Sequence, residues 1–222
     1  MERYLKISKV NLKYNLLPHL LVCIVMCLAA PLFMGTENLE QYQVAKIAEG
    51  YLSLWGIVLL IPVFIPDMNK DIRDLIASKK ESMTVLHIIR IIWAVFFMIV
   101  MECVFLLYLK WGNCIFDFWG IFYGMMANAL FLGGMGMFVF ALSDQVVFAY
   151  MIPLMYYVVN FGAGFKQLGS FWLFSMQYGS GPGGKHYLLI SGILLTIGAV
   201  FWRKNATFSL PLLFYNKRNS TG

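Results

Sequence analysis

Few side chains within the long apolar runs of this chain could do chemistry, and Glu102 is the most conspicuous. It is the one acidic residue well inside a predicted span, where an ionisable group is costly and is expected to face a cavity or a partner. Asn128 and Asn160 are uncharged candidates of the same kind. The pattern predicts a transport pathway or a conformational role for these three residues. The alternative is a Glu102 carboxylate satisfied by a neighbouring helix or by water at the interface.

A second stretch, GSGPGGKH at residues 179–186, matches the spacing of a phosphate-binding loop as far as Lys185. Such a loop needs Ser or Thr at the next position, which His186 occupies, and a preceding strand, where FWLFSMQY is an aromatic segment. The glycines are therefore expected to form a flexible turn before the last apolar run. Any ATPase that acts with this chain has to be a separate protein.

The other reactive residue types form no catalytic or metal-binding pattern. No CxxC pair occurs, and the three histidines are scattered near the ends of apolar runs. Intramembrane hydrolases need paired groups, such as Ser with His, two Asp, or Glu with metal-binding His, and no such set is present. We therefore expect no enzyme activity, metal or cofactor in this chain. The four cysteines are read as small apolar residues: Cys23, Cys27, Cys103 and Cys114.

The elements that position these residues follow from the composition. The chain has 222 residues, of which 60% are hydrophobic and only 13% charged, whereas soluble domains are about half apolar and a quarter charged. A membrane-spanning helix needs about 20 apolar residues. We predict an all-α polytopic membrane protein whose transmembrane domain covers 16–202. Its six spans are 16–35, 45–66, 84–109, 117–142, 145–162 and 186–202.

The basic residues predict the orientation of these spans, because Lys and Arg concentrate on the cytoplasmic side of a membrane. Most of the 17 Lys and Arg residues fall inside when both termini are cytoplasmic, including those of the tail at 203–222. The formal net charge of +6 then reflects orientation in the bilayer and gives no reason to expect nucleic-acid binding. The predicted location is the plasma (inner) membrane.

Two further segments are predicted to lie at the membrane surfaces. Residues 1–15 form a basic amphipathic helix in which Lys6, Lys9 and Lys13 share one stripe, as expected of a helix on the inner leaflet. The alternative is a frayed basic tail. The loop at 163–185 is too apolar for an exposed loop and too broken for a span. It is expected to fold back as short re-entrant helices, or to form an aromatic belt.

Small residues in the fourth span predict close helix packing. Gly120 and Gly124 form a GxxxG pair, and Gly133, Gly134 and Gly136 follow within the same span. Glycines let helices in a membrane approach closely. We expect this packing to occur within one chain, the alternative being a contact between chains.

The connection at 67–83, beginning DMNKDIRDLIASKK, gathers much of the charge of the chain. Pro66 ends the second span, and Asp67 is the expected N-cap of a short helix. An apolar stripe beside charges of both signs suits a groove on another protein. The alternative is a polar loop with one helical turn resting on the bilayer. The candidate docking residues are Asp67, Met68, Lys70, Ile72, Arg73, Leu75, Ile76 and Ser78.

The order of these parts over residues 4–203 resembles the ABC-2-type permeases, which are membrane subunits of bacterial ATP-driven exporters. The connection PDMNKDIRDLIASKKESMTVLHIIR carries the greatest similarity. Asp67 stands at the family's acidic position, Leu75-Ile76 at its apolar pair and Ala77-Ser78 at its small residues. The chain differs from the family pattern at Lys79, where a proline is common, and in lacking a glycine before the apolar pair.

The resemblance implies that residues 67–78 form a coupling helix that docks on a cytoplasmic ABC ATPase. ATP and Mg²⁺ would bind in that partner, and two permease chains would pair above two ATPases in the lipid bilayer. The implied cargo is an amphipathic molecule such as a peptide, an antibiotic or a lipid. Two alternatives remain open. One is a secondary transporter or channel, in which an inverted repeat is expected; the other is a membrane immunity or sensor protein.

Overall fold

The computed structural model describes residues 11–68, 83–162, 165–179 and 182–219. These residues are almost entirely helical, and their only strand pairing is one isolated bridge between Glu40 and Ile115. The predicted all-α class is therefore confirmed. The α-helices are α1 Leu17–Met34, α2 Gln41–Gly50, α3 Trp55–Leu60, α4 Met83–Trp111, α5 Phe118–Ser143, α6 Val146–Gly162, α7 Phe165–Leu168 and α8 Lys185–Asn219.

Five helical stretches in the described ranges are long and apolar enough to cross a membrane. They coincide with five of the six predicted spans, and α6, with 17 residues, is a shorter apolar helix at the position of the remaining one. Helices of this length and composition are those of a membrane-embedded protein. The five stretches are Leu12–Leu32, Gln41–Met68, Met83–Trp111, Phe118–Ser143 and Lys185–Lys204.

The second apolar stretch is not one regular helix. After α2 ends, a 3₁₀ turn at Leu52–Leu54 leads into α3, and a second 3₁₀ helix at Ile61–Met68 follows. Pro62 and Pro66 lie in this last piece and have no backbone N–H to continue an α-helical ladder. The broken helix is nevertheless largely buried. Irregular backbone in a membrane is tolerated where protein surrounds it, so the burial explains how this segment can be broken.

Side chains at the helix ends fix where several helices start. The Glu40 backbone N–H donates to the Gln43 side chain at 2.9 Å, immediately before and within the first turn of α2. Asp117 precedes α5, and its carboxylate accepts a hydrogen bond from the Gly120 N–H at 3.1 Å. These contacts satisfy N–H groups that have no partner within a helix. They begin α2, which carries the buried Glu49, and α5, which carries the buried Asn128.

Successive long helices run in opposite directions, so the bundle has two ends. At one end the turn after α1 meets the turn after α4, where the Asn38 N–H donates to the Gly112 carbonyl at 2.9 Å and the Ile115 N–H to the Leu39 carbonyl at 2.9 Å. We call this the Asn38 end. The opposite end contains the last turn of the second apolar stretch and is called the Asp67 end.

The helix α5 lies at the centre of the bundle and packs against α3, α6 and α8. Most of its residues are buried, as are those of the second apolar stretch. The stretches at α1, α4 and α8 instead bury only 17%, 28% and 22% of their most apolar windows. Apolar side chains such as Leu28 and Ile92 therefore face outward, as in helices that contact lipid. The core thus consists of two shielded stretches surrounded by exposed apolar helices.

Glycines form the closest contacts of α5. A Cβ atom on Gly56 of α3 would lie 1.8 Å from the Ala129 carbonyl oxygen, and one on Gly133 would lie 2.5 Å from the Gly56 carbonyl oxygen. The same relation holds with α8, because a Cβ on Gly134 would lie 2.5 Å from the Gly192 carbonyl oxygen. Only hydrogen side chains allow these approaches. The predicted close packing within one chain is confirmed for Gly133 and Gly134.

The remaining glycines of the predicted motif also face groups of the same chain. A Cβ on Gly120 would meet the capping carboxylate of Asp117, and a Cβ on Gly124 would lie 2.2 Å from the Met176 sulfur. The GxxxG pair therefore makes room for a cap and for the segment before α8, and it does not serve a helix–helix contact.

Both chain ends differ from the predicted segment boundaries. Residues 1–10 lie outside the described residues, and a π-helical turn at Leu12–Leu16 continues directly into α1. The described part of the predicted interfacial helix at 1–15 is therefore continuous with the first apolar stretch. At the other terminus, α8 extends to Asn219, so the predicted tail at 203–222 starts as a continuation of the last helix.

The orientation can be tested at two exposed positions on opposite ends, Glu37 and Gln145. In a variant without the four native cysteines, we expect Glu37→Cys to react with an impermeant maleimide in intact cells. Gln145→Cys should react only after the membrane is permeabilised, which also serves as the control for reactivity. The measurement is the gel shift of the labelled chain. Labelling of Gln145→Cys in intact cells would reverse the predicted orientation.

Candidate functional site

Among the residues that the structure describes, two groups of buried polar side chains lie inside the apolar bundle, and the first is near the Asn38 end. Glu49 of α2 and Lys185 at the start of α8 form an ion pair with 2.6 Å between Oε1 and Nζ. Their side chains are 1% and 0% exposed. With Asn128 of α5 they form what we call the Glu49 cluster. Buried charges are stable only when paired and hydrogen-bonded, so the surrounding contacts are decisive.

Every charged group of the Glu49 cluster has further partners. The two Glu49 oxygens accept the Met176 N–H at 3.0 and 3.1 Å, and Oε2 also accepts the Gln177 N–H at 3.1 Å. Lys185 Nζ donates to Asn128 Oδ1 at 3.1 Å and to the Leu173 carbonyl at 2.5 Å. Because most of these partners are backbone groups of residues 173–177, the ion pair anchors that segment to the bundle.

The anchored segment, residues 169–179, consists of short 3₁₀ turns with a buried centre. Asn128 Nδ2 donates to the Leu173 carbonyl at 2.9 Å from one side. Asn160 of α6 binds the same residue from the other side, because its Oδ1 accepts the Leu173 N–H at 2.9 Å. Non-helical backbone in apolar surroundings needs such partners. The two asparagines supply them at the point where the segment enters the bundle.

The structure thus brings together two of the three residues predicted for a transport pathway, Asn128 and Asn160. Glu102 lies apart from them, in α4, with 0% exposure, and neither of its oxygens has a hydrogen-bond partner among the described residues. The statement that Glu102 is the one acid well inside a span is wrong, because Glu49 is equally buried. Sequence analysis missed both Glu49 and Lys185. The available signal was an acid at the start of one predicted span and a lysine directly before another.

The second group of polar side chains, the Asp67 cluster, consists of Asp67, His87 and Arg90. Asp67 Oδ1 accepts from Arg90 Nη1 at 2.8 Å, and Oδ2 lies 2.6 Å from His87 Nε2. All three residues are buried. Arg90 Nη1 also donates to the Val63 carbonyl at 3.0 Å. In a 3₁₀ helix that carbonyl would bind the N–H of residue 66, which is Pro66 and has none. Arg90 therefore compensates for the proline.

The position of Asp67 differs from the sequence-based expectation of a helix N-cap on a docking surface. It lies within the 3₁₀ helix Ile61–Met68, and its residue exposure is 3%. Its carboxylate is bound to α4 and is not available to a partner protein in this arrangement. Met68, the next candidate, is 45% exposed. The other candidate docking residues lie outside the described residues: Lys70, Ile72, Arg73, Leu75, Ile76 and Ser78.

Arg203 of α8 links the Asp67 cluster to the centre of the bundle. Its guanidinium lies over the rings of Phe64 and Phe140, with 5.3 and 5.1 Å to the ring centres, and it forms an ion pair with Asp144. Phe64 also contacts the edge of the His87 ring at 4.9 Å. Cation–π contacts of this kind stabilise by about 0.5–2 kcal/mol. The Asp67 end therefore joins the second apolar stretch, α4, α5 and α8 through one connected set of side chains.

The chemistry available to the two clusters is electrostatic. Among the residues that the structure describes, no group of three or more His, Cys, Asp or Glu side chains could hold a metal ion. The charges of the Glu49 cluster are bound to one another and to backbone groups, and the Asp67 carboxylate is bound to His87 and Arg90. Both clusters are suited to holding helices and segments in fixed relation.

The helices and their buried ion pairs define an all-helical, membrane-embedded protein. Comparison with protein-family models, with curated proteins and with solved structures gave no match.

Proposed function

We propose that this chain is the permease subunit of an ABC-2-type exporter, with six transmembrane helices and both termini in the cytoplasm. In this proposal α6 is the fifth span, the Asp67 end faces the cytoplasm, and the connection at 67–83 docks on a separate ATPase. ATP and Mg²⁺ bind in that ATPase. A second permease chain completes the membrane part in the plasma membrane, and the cargo is an amphipathic peptide, antibiotic or lipid.

The observation that supports this proposal is the Asp67 cluster. Asp67 stands at the end of the second apolar stretch, and His87 and Arg90 lie in the first turns of α4. The cluster therefore joins the two helices at the base of the charged connection, where the chain leaves one helix and enters the other. Removing one partner of a buried ion pair costs about 3–5 kcal/mol. Separating the two spans would leave buried charges unpaired, so the two spans are expected to move together when the connection is displaced.

The contacts beyond the cluster extend this coupling to other helices. Phe64 contacts His87 on one side and lies under the Arg203 guanidinium on the other, and Phe140 of α5 stacks on Phe64 at 6.0 Å between ring centres. A movement at the base of the connection therefore reaches α5 and α8 through packed side chains. Chains of packed side chains of this kind carry energetic coupling between distant sites, which a membrane subunit driven by a separate motor would use.

The test is the removal of the predicted apolar stripe by a double change, Ile72→Asp with Leu75→Asp. Burying each of these side chains contributes about 1.5–3 kcal/mol, and two unpaired charges add a further cost. The affinity for the ATPase should therefore fall at least about a hundredfold, since about 1.4 kcal/mol is a tenfold change. The measurement is recovery of the ATPase with the tagged chain from membranes with matched expression, together with ATP-dependent transport.

Lys70→Ala is the matched control in the same segment. It removes a charge beside the apolar stripe, and exposed ion pairs contribute only about 0–1 kcal/mol, so ATPase recovery should stay near that of the parent. Equal recovery and transport with the double variant would overturn the coupling-helix proposal. A parent chain that retains no ATPase from its native membranes would overturn the permease proposal itself.

A further inference from the structure

The carboxyl group of Glu102 differs from the other buried carboxyl groups, because it is fully buried and has no hydrogen-bond partner in the described part of the chain. Neither oxygen has a hydrogen bond among the described residues, whereas the equally buried Glu49 has a lysine and two backbone N–H groups. An isolated carboxylate ion in an apolar interior is far more costly than the neutral acid. The packed structure therefore favours the uncharged form at this position.

The described residues one turn away from Glu102 on its own helix are apolar. Met98, Phe105 and Leu106 share its helix and are almost completely buried in one hydrophobic cluster with Trp55 of α3. The Trp55 ring meets Phe105 edge to face, with 6.2 Å between ring centres. The Trp55 indole N–H is also buried without an acceptor. An unused donor thus lies in the cluster that contains the apolar neighbours of Glu102 on α4, where α3 packs on α4.

The kind of ligand that could occupy this position follows from these contacts. A metal ion needs several oxygen, nitrogen or sulfur ligands, and the described residues place no group of three acidic, His or Cys side chains together. An organic ligand would have to displace Met98, Phe105 and Leu106, which are themselves buried. A proton needs no additional space and removes the charge that makes burial costly.

We propose that Glu102 is a proton-binding site inside the membrane. It holds its proton while the second apolar stretch packs on α4, and the proton passes to water when these helices separate and the carboxyl becomes hydrated. This site requires no ATPase, so its test is independent of the permease proposal. The packing of α3 on α4 then depends on whether the Glu102 carboxyl is protonated or deprotonated.

No described cation neutralises Glu102 from a neighbouring helix. Cys103 is adjacent on α4 itself. The helix α4 packs against the second apolar stretch, α5 and α8, and residues of α1 share its hydrophobic cluster. None of the described titratable side chains of these elements forms a hydrogen bond with the Glu102 carboxyl. Those groups are His19, Cys23 and Cys27 of α1, Tyr42, Lys46, Glu49, Tyr51 and Asp67 of the second apolar stretch, Tyr123 of α5, and Lys185, His186, Tyr187, Arg203 and Lys204 of α8.

The sign of the pH dependence follows from the number of bound protons. A hydrated glutamate carboxyl is ionised above about pH 4.3. Above that pH the packed state, in which Glu102 is protonated, therefore binds one more proton than the separated state. Rising pH therefore favours separation of α3 from α4, by up to about tenfold in the equilibrium per pH unit. In Glu102→Gln this dependence should disappear, because the amide keeps the shape and has no proton to release.

The test compares two buried carboxyls by infrared absorption of the full chain in an alkyl maltoside, a detergent without a carbonyl group. At neutral pH the parent should show the C=O stretch of a protonated carboxyl. Glu102→Gln should lose this band. The control Glu49→Gln with Lys185→Met should keep it, because it removes the paired Glu49 carboxylate without leaving Lys185 buried and unpaired. A parent spectrum without the band, or a band that survives Glu102→Gln, overturns the proposal.

A second measurement needs no variant and therefore remains decisive if Glu102→Gln fails to fold. A hydrophobic carbodiimide in native membranes reaches the carboxyl when α3 and α4 separate. Near the ordinary pKa of a hydrated carboxyl, about 4.3, it takes the proton of a protonated carboxyl onto one nitrogen, while a carboxyl oxygen bonds to its central carbon. The acyl group then migrates to nitrogen, and no atom is lost. Mass spectrometry should find this adduct on the peptide that contains Glu102 and not on Glu49. An adduct confined to Glu49, or none at Glu102, contradicts the proposal.

Discussion

Replacing Gly56 by alanine is expected to prevent the bundle from assembling correctly. The new Cβ would lie 1.8, 2.5 and 2.8 Å from the O, C and Cα atoms of Ala129. All three are backbone atoms of α5, so no side chain can rotate away and α3 has to move off α5. Overpacking of a core costs about 1–3 kcal/mol, and a backbone clash exceeds that range. We expect a loss of at least about 3 kcal/mol, measured as thermal loss of the monodisperse species in detergent.

Gly50→Ala is the matched control for this change. Gly50 is the last residue of α2, and a Cβ atom there would have no heavy atom within 4 Å. The Gly50→Ala variant should therefore match the thermal stability of the parent within about 0.5 kcal/mol. If Gly56→Ala were as stable as Gly50→Ala, the close approach of α3 to α5 would be incorrect.

The second large effect is expected at the Glu49 cluster. Lys185→Met leaves the Glu49 carboxylate buried without its cation, and breaking a buried pair in this way costs about 3–5 kcal/mol. Glu49→Gln leaves Lys185 equally unpaired. The double variant removes both charges and should recover much of the loss. The measurement is a double-mutant cycle on thermal unfolding of the purified chain, which isolates the energy of the pair.

Lys46→Met controls for the loss of a positive charge on the same face of the membrane. Lys46 is an exposed residue of α2, so its replacement should change stability by less than about 0.5 kcal/mol. Additive effects of Lys185→Met and Glu49→Gln, with no recovery in the double variant, would show that the two groups do not form the pair described above.

The spans were predictable because hydropathy and length are local properties of the sequence. The predicted runs at 84–109 and 117–142 lie within α4, Met83–Trp111, and within a residue of α5, Phe118–Ser143. The broken course of the second stretch was only partly predictable. Pro62 and Pro66 are visible in the sequence, but the 3₁₀ turn at Leu52–Leu54 depends on packing against α5 and has no sequence signature.

The polar partners were not predictable, because each pair joins residues that are distant in the chain. Lys185 belongs to a glycine-rich stretch that suggested phosphate binding, and only the fold shows its Nζ against Glu49. Asp67 fits a local pattern for a helix N-cap. Its contacts with His87 and Arg90 arise because the following helix returns alongside the second stretch. Local patterns identify which residues are polar, and tertiary packing decides which of them meet.

The short helix α6 has a consequence for the surrounding bilayer. Its 17 residues span about 26 Å at 1.5 Å per residue, which is less than the roughly 30 Å of a typical hydrocarbon core. The 29 residues of α4 span about 44 Å by the same measure. In the proposed six-span arrangement, lipids beside α6 have to compress while lipids beside α4 do not. The protein is therefore expected to thin the membrane beside α6 and not beside α4, and to favour bilayers with shorter acyl chains.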